Sequence, residues 1–390
     1  MKKFFRKKFF RIALKVVLSL LGVIVAAALC VGVSIFAYSA RDRKDSARAQ
    51  LEHIAVLAAR YSQPDFSPAD ERAMTGFDLE AAAANGARLN ELRFLATHNS
   101  YKAYNPSAEK LMKYLIAPLG FTWEREWRQW SYGFEPLSEQ FDKGIRSIEL
   151  DVMREKDGFR CAHIPIVDYA SNCPDFGLAL KEIALWSDAH PDHLPITVLV
   201  EPKITALLGG KIFHRFGIED VLALEALTAR VLGSRLYTPG EMLAEHEDFK
   251  QLRSAGDYPA LSELLGKIIV IYHYNEGTTE AYAAHASAEG PPRLFLSTLQ
   301  RYSDNENTSR DDACFAMIGS SGSDYMEQHT KDNILVRTFA NSYPWHDEEW
   351  AKEAVSTGAF ILTTDYPPRD EPGLDPHVFT FESGATVEYK

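Results

Sequence analysis

Residues 147–152, SIELDV, read as a strand with two chemistries. Alternation puts Ile148, Leu150 and Val152 on one side, for apolar packing, and Glu149 and Asp151 together on the other. Outward from this stretch, further short β-branched or apolar runs fall at Arg93–Ala96, Phe159–His163, Ile196–Glu201, Lys267–Tyr272, Phe315–Ile318, Ile334–Thr338 and Ala359–Thr364. Arg293–Ser297 competes with Phe315–Ile318 for the sixth place. Helical patterns such as FGLALKEIALWSDAH and IEDVLALEALTARVLG lie between several of the runs. This alternation predicts a parallel sheet covered by helices, and eight strands fit a closed TIM (β/α)8 barrel over residues 91–390.

With 390 residues, 46% hydrophobic and 25% charged, the chain has material for one large core, and neither a repeat nor a low-complexity segment interrupts it. Charge is unevenly placed. The first 40 residues carry seven Lys and Arg and no acid, so the formal −12 of the chain becomes −19 on residues 41–390. A body that acidic repels nucleic-acid phosphates, which excludes nucleic acid as a partner. It is also repelled by anionic membrane surfaces, so work on lipid requires a tether or an apolar contact.

The N-terminus supplies that tether. Residues 1–15 form a basic segment with interleaved Phe4, Phe5, Phe9 and Phe10, and Val16–Tyr38 is a run of 23 residues without charge. As a helix it is about 35 Å long, enough to span a bilayer, and it exceeds the apolar core of an ordinary signal peptide. The expected topology has residues 1–15 in the cytoplasm, an uncleaved anchor at 16–38, a helical stalk and linker at 39–90, and the body outside. In that oxidising setting Cys161 and Cys173 are expected to form a disulfide.

His98, Asn99, Glu149, Asp151, His163, Glu201, Lys203, Arg337 and Asp365 all fall at or just past the predicted C-terminal strand ends. A barrel gathers those ends on one face, where active sites are built. Glu149, Asp151 and Glu201 with the amide oxygen of Asn99 make an all-oxygen set suited to a hard cation rather than zinc. His98 and His163 beside it are the pair that acid–base chemistry on a phosphate ester needs, and Lys203 and Arg337 suit phosphate.

The segments FLATHNSY, LSEQFDKGIRSIELDV, CAHIP, WSDAHPDHLPITVLVEPK, ILVRTFA and GAFILTTDYP, taken in order, resemble the successive motifs of the calcium-dependent phosphatidylinositol-specific phospholipase C family. The resemblance spans residues 93–369. It implies a TIM barrel, catalytic His98 and His163, and calcium held by Asn99, Glu149, Asp151 and Glu201. It also implies that Arg337 faces substrate, and a phospholipid substrate, phosphatidylinositol first; Lys203, Asp365 and Tyr366 are the further candidate substrate contacts. This chain departs at Phe339, where a second basic residue is common, and in the long segment Tyr101–Phe134. That insert crowds Phe121, Trp123, Trp127, Trp130, Tyr132 and Phe134, which either pack on the barrel or meet the membrane interface. A glycerophosphodiester phosphodiesterase shares the acid pair but opens with His-Arg-Gly, where this chain has Thr97-His98-Asn99-Ser100. A catalytically dead, tethered binding protein is the other alternative, and the intact histidines and acids weigh against it.

Overall fold

The computed structural model describes residues 2–105, 132–162, 170–203, 216–289, 292–300, 310–319, 322, 325–344, 346–370 and 377–390. Among the described residues, eleven strands form one sheet: β1 (Leu92–Thr97), β2 (Ser147–Glu155), β3 (Gly158–Cys161), β4 (Ile196–Pro202), β5 (Leu236–Tyr237), β6 (Ile268–Tyr272), β7 (Phe295–Gln300), β8 (Phe315–Ile318), β9 (Leu335–Phe339), β10 (Ile361–Thr364) and β11 (Val387–Tyr389). Parallel pairing runs β1–β2–β4–β6–β7–β8–β9–β10 and returns from β10 to β1, which closes the expected eight-stranded barrel.

Two strand assignments change. The expected strand at Phe159–His163 is not a barrel strand: its described part lies in β3, the antiparallel hairpin partner of β2, because the turn at Lys156–Asp157 is too short for a parallel crossover. The eighth barrel strand is instead β7, close to the competing run at Arg293, so both candidates for the sixth place are strands.

Alternation sorts each strand into two cores. Outward residues such as Ile148, Leu150, Val198 and Val270 pack on the helices, with Phe176, Leu180, Ile183 and Trp186 of the amphipathic helix Phe176–Ala189 among them. Inward residues such as Phe94, Leu199, Ile269, Ile271, Phe315 and Leu335 fill the barrel itself.

The helix expected over the stalk is continuous with the apolar run before it. One helix, α1, runs unbroken from Lys2 to Tyr61. Within it Leu14–Ser34, 21 residues of mean hydropathy 2.8 and unburied, is long and apolar enough to cross a membrane. Its last third lies on the barrel, with Gln50, Ile54 and Leu57 buried. Gln50 accepts from the Asp175 N–H and donates to the Asp175 carbonyl, both at 2.9 Å. His53 lies 3.2 Å from buried Glu182 and 3.0 Å from Ser138.

Burial pushes the His53 pKa down, but the hydrogen bond and charge of Glu182 more than offset it, and the net shift is upward from 6.5. Stability from a histidine raised in this way is complete below the unfolded pKa and is lost as pH rises through the folded one. The melting temperature should therefore fall as pH climbs above the ordinary histidine value of 6.5, and His53→Gln should flatten that part of the profile. An unchanged slope in the variant would remove this pair from the docking of α1.

Cys161 and Cys173 are not joined: both are buried free thiols. They sit side by side because the Cys161 N–H bonds the Pro174 carbonyl at 2.9 Å, so backbone pairing already closes the loop the disulfide was expected to close. Burial, reinforced by the neighbouring Cys161 thiol, pushes the Cys173 pKa well up.

Candidate active site at the C-terminal mouth of the barrel

Strand parity builds the site. The inward rows that carry Phe94–Ala96, Ile269–Ile271 and Leu335 deeper in the barrel emerge at the strand ends as His98, His273 and Arg337. Glu149 and Asp151 occupy the same face of β2, and β4 is registered so that Glu201 stands opposite Asp151. The ligand oxygens of Glu149, Asp151 and Glu201 all lie within 4.8 Å of one another.

Like charges this close require compensation. Lys203 Nζ lies 2.9 Å from Asp151 Oδ2 and 2.8 Å from Glu201 Oε1, while Arg337 Nη2 lies 2.5 Å from Glu149 Oε2. Arg337 also stacks over Phe339, 4.1 Å from the ring centroid. Burial raises the Asp151 pKa despite the opposing charge of Lys203, and Glu201 and Glu149 push it the same way. Burial would lower the Lys203 pKa, but the two carboxylates reverse this and its net shift is upward. Both sequence-identified cations thus serve the acid cluster directly.

The residues fit a hard divalent cation. Besides the close oxygen-only set, Asp151 Oδ1 is buried without a hydrogen-bond partner, a costly state for a carboxylate oxygen that a cation would relieve. Asn99 adjoins this set through Tyr101, whose hydroxyl lies 2.6 Å from Asp151 Oδ2 and 3.1 Å from Asn99 Oδ1.

The turn after β1 presents His98 and Asn99. Asn99 takes a left-handed conformation (φ 52°), which its short polar side chain tolerates, and the Lys102 N–H closes the turn on the Asn99 carbonyl at 2.8 Å. Gln140 braces it by accepting from Thr97 Oγ1 at 2.8 Å and donating to the Ser100 carbonyl at 2.9 Å. His98 Nδ1 lies 3.1 Å from Asp365 Oδ1, and the other Asp365 oxygen accepts the Tyr343 N–H at 2.8 Å. Its imidazole packs edge-on against Phe339 with 24% of the side chain exposed. Burial would lower the His98 pKa; the charge and hydrogen bond of Asp365, with Glu149, outweigh it and raise the net value.

Tyr366 is buried, with Tyr343 and His377 against its ring. His163 lies outside the described residues, as do Phe121, Trp123, Trp127 and Trp130 of the insert. Of the remaining insert aromatics, Tyr132 is buried in the site, where its hydroxyl accepts from Asn99 Nδ2 at 2.9 Å and its ring lies 5.1 Å from Lys102 Nζ. The sequence reading missed Tyr101 and His273. Tyr101 was no further than the end of the first motif. His273 is buried just past β6, where burial lowers its pKa against the pull of Glu201 and Glu149. Continuing the period-two row Ile269–Ile271 by one step finds it.

Two crystal structures of the calcium-dependent phosphoinositol-specific phospholipase C from the Gram-negative bacterium Pseudomonas sp. are similar to this chain. The apo form matches with TM-score 0.55 at 16% identity, covering 83% of this chain and 100% of that one. The myoinositol complex matches with TM-score 0.53 at 16% identity, covering 80% and 97%. At such identity the likeness establishes the fold. No curated protein matches this sequence. The family model for Ca2+-dependent phosphoinositide phospholipase C matches residues 87–162 and 153–389, most of the chain. With that match over the barrel just described, the chain belongs to the calcium-dependent phosphoinositide phospholipase C family, a phosphodiesterase whose cofactor is calcium.

Proposed function

We propose that this protein cleaves phosphatidylinositol in a membrane, releasing diacylglycerol and a cyclic inositol phosphate. The observation that carries the reading is His98, pinned through Nδ1 by Asp365 at the lip of a three-carboxylate cluster. Glu149, Asp151, Glu201 and Asn99 are the proposed calcium ligands. Calcium bound there supplies positive charge that makes the substrate hydroxyl more acidic and offsets charge on the phosphate.

With Nδ1 directed at Asp365, Nε2 is the nitrogen that accepts the proton of the inositol 2-hydroxyl. The resulting oxygen attacks phosphorus, and the bond from phosphorus to the glycerol oxygen breaks. His163 assists the departing oxygen. Asp365 acts as the residue that orients His98, since both of its oxygens are engaged within the protein. Arg337 and Lys203 offset the charge of the carboxylates and stand beside the phosphate, and buried Tyr366 supports the wall behind Asp365. Leu14–Ser34 anchors the body on the outer side of the membrane. A panel of phospholipids assayed for headgroup release, with calcium and with chelator, tests the reading. Release from phosphatidylinositol alone and only with calcium is expected; preferential release from another headgroup would overturn the substrate assignment.

A further inference from the structure

We propose that α1 is a rigid strut that turns the catalytic mouth toward the same bilayer its apolar half enters. The proposal rests on reading Leu14–Ser34 as membrane-spanning and adds an orientation to it. Contacts along α1 set the direction. Near its end, Tyr61 lies 6.0 Å from His190, at the close of the helix that leads into the N-terminal end of β4. Halfway along the docked stretch, Gln50 bonds Asp175, which caps the other end of that same helix. Higher still, the Asp42 carboxylate accepts from Asn105 Nδ2 at 2.9 Å, and Arg43 pairs with Glu155 at 2.7 Å. Asn105 follows β1, and Glu155 ends β2 beyond Asp151, so both belong to the C-terminal side of the barrel.

Reading α1 backward therefore climbs the barrel from floor to mouth, and the helix continues without a break into the apolar stretch. From Asp42 to Ser34 is eight residues of helix, about 12 Å of rise, so the rim stands close to the headgroup layer. A second observation agrees. Tyr104 (42% exposed) and Val378 are exposed large apolar side chains on loops at this rim. Tyr104 neighbours Asn105, and Val378 follows His377, whose ring meets Tyr366 just past β10. The body, at −19, has no charge attraction that would hold it against an anionic surface, so the strut sets its attitude.

The test uses full-length protein with Cys30→Ser in vesicles carrying a lipid-headgroup energy acceptor on the outer leaflet. A donor dye is placed at Tyr104→Cys, on the rim, or at Asp192→Cys, beside His190 on the floor. The helix between Asp42 and Tyr61 separates those levels by about 28 Å. Transfer at least several-fold stronger from the Tyr104 position is expected. An eleven-residue Ala/Glu/Lys helical insertion after Ser39 lifts the rim by about 16 Å with little rotation, and should cut transfer from that position sharply. Equal transfer from both positions, stronger transfer from Asp192→Cys, or a mature chain lacking Leu14–Ser34 by intact mass would overturn the proposal. None of these readouts needs turnover, so a failure of the lipid panel is distinguished from a failure of the orientation.

Discussion

His98→Ala should lower turnover on phosphatidylinositol by about 10²–10⁴-fold, the range for loss of a general base. The imidazole is held by Asp365 and edged by Phe339, so alanine removes the proton acceptor while leaving the carboxylates and their cations in place. Calcium binding, read by calorimetry, should persist. The base works when deprotonated, so the rate should climb with pH through the His98 pKa. Asp365 raises that pKa, and Asp365→Asn should therefore move the acidic limb of the profile to lower pH while also lowering kcat. Near-normal turnover in His98→Ala, or an unmoved limb in Asp365→Asn, would remove these residues from the chemistry.

Calcium should raise the melting temperature of the native protein, and Asp151→Asn should abolish the rise. At a calcium concentration one hundred times Kd, linkage supplies about 2.7 kcal/mol, or about 4 °C for a domain of this size. Asp151 is the informative position because it contributes the buried oxygen without a partner and accepts from both Tyr101 and Lys203. Asparagine retains the shape and removes one of three crowded charges, and Lys203 keeps Glu201 as its partner. The metal-free variant should therefore melt near the native protein, so that loss of the calcium response reports the site rather than the fold. A full calcium response in Asp151→Asn would overturn the ligand assignment.

Much of the barrel was legible because parallel strands buried on both faces leave continuous apolar runs, and ITVLV and IIVIY have that character, whereas SIELDV alternates because its inward face carries the acids. Hairpin and barrel strands look alike in composition, which is why the sequence places Phe159–His163 in the barrel and leaves Arg293–Ser297 in competition. What distinguishes them is connection length. The acid cluster was visible as residue types at strand ends, but its internal ion pairing was not. Whether Lys203 and Arg337 face substrate or carboxylate depends on register across β2, β4 and β9, and register is a tertiary property. Tyr101 and Tyr132 were unreadable as site residues for the same reason: each reaches the acids or Asn99 only through a turn whose course one sequence does not display.

The unbroken course of α1 bears on how such an enzyme meets its substrate. In the orientation proposed above, a mouth held at fixed height over its own leaflet would search in two dimensions. Its encounter rate follows the mole fraction of substrate in that leaflet and the lateral diffusion of lipids, rather than the amount of lipid per volume of suspension. Diluting vesicles with buffer would leave the rate per enzyme unchanged, whereas diluting the substrate with an inert phospholipid would lower it in proportion. The two products of the proposed cleavage would also part company, with the apolar one remaining in the leaflet and the charged one leaving into water. Accumulating apolar product then changes the local surface from which the next substrate is drawn.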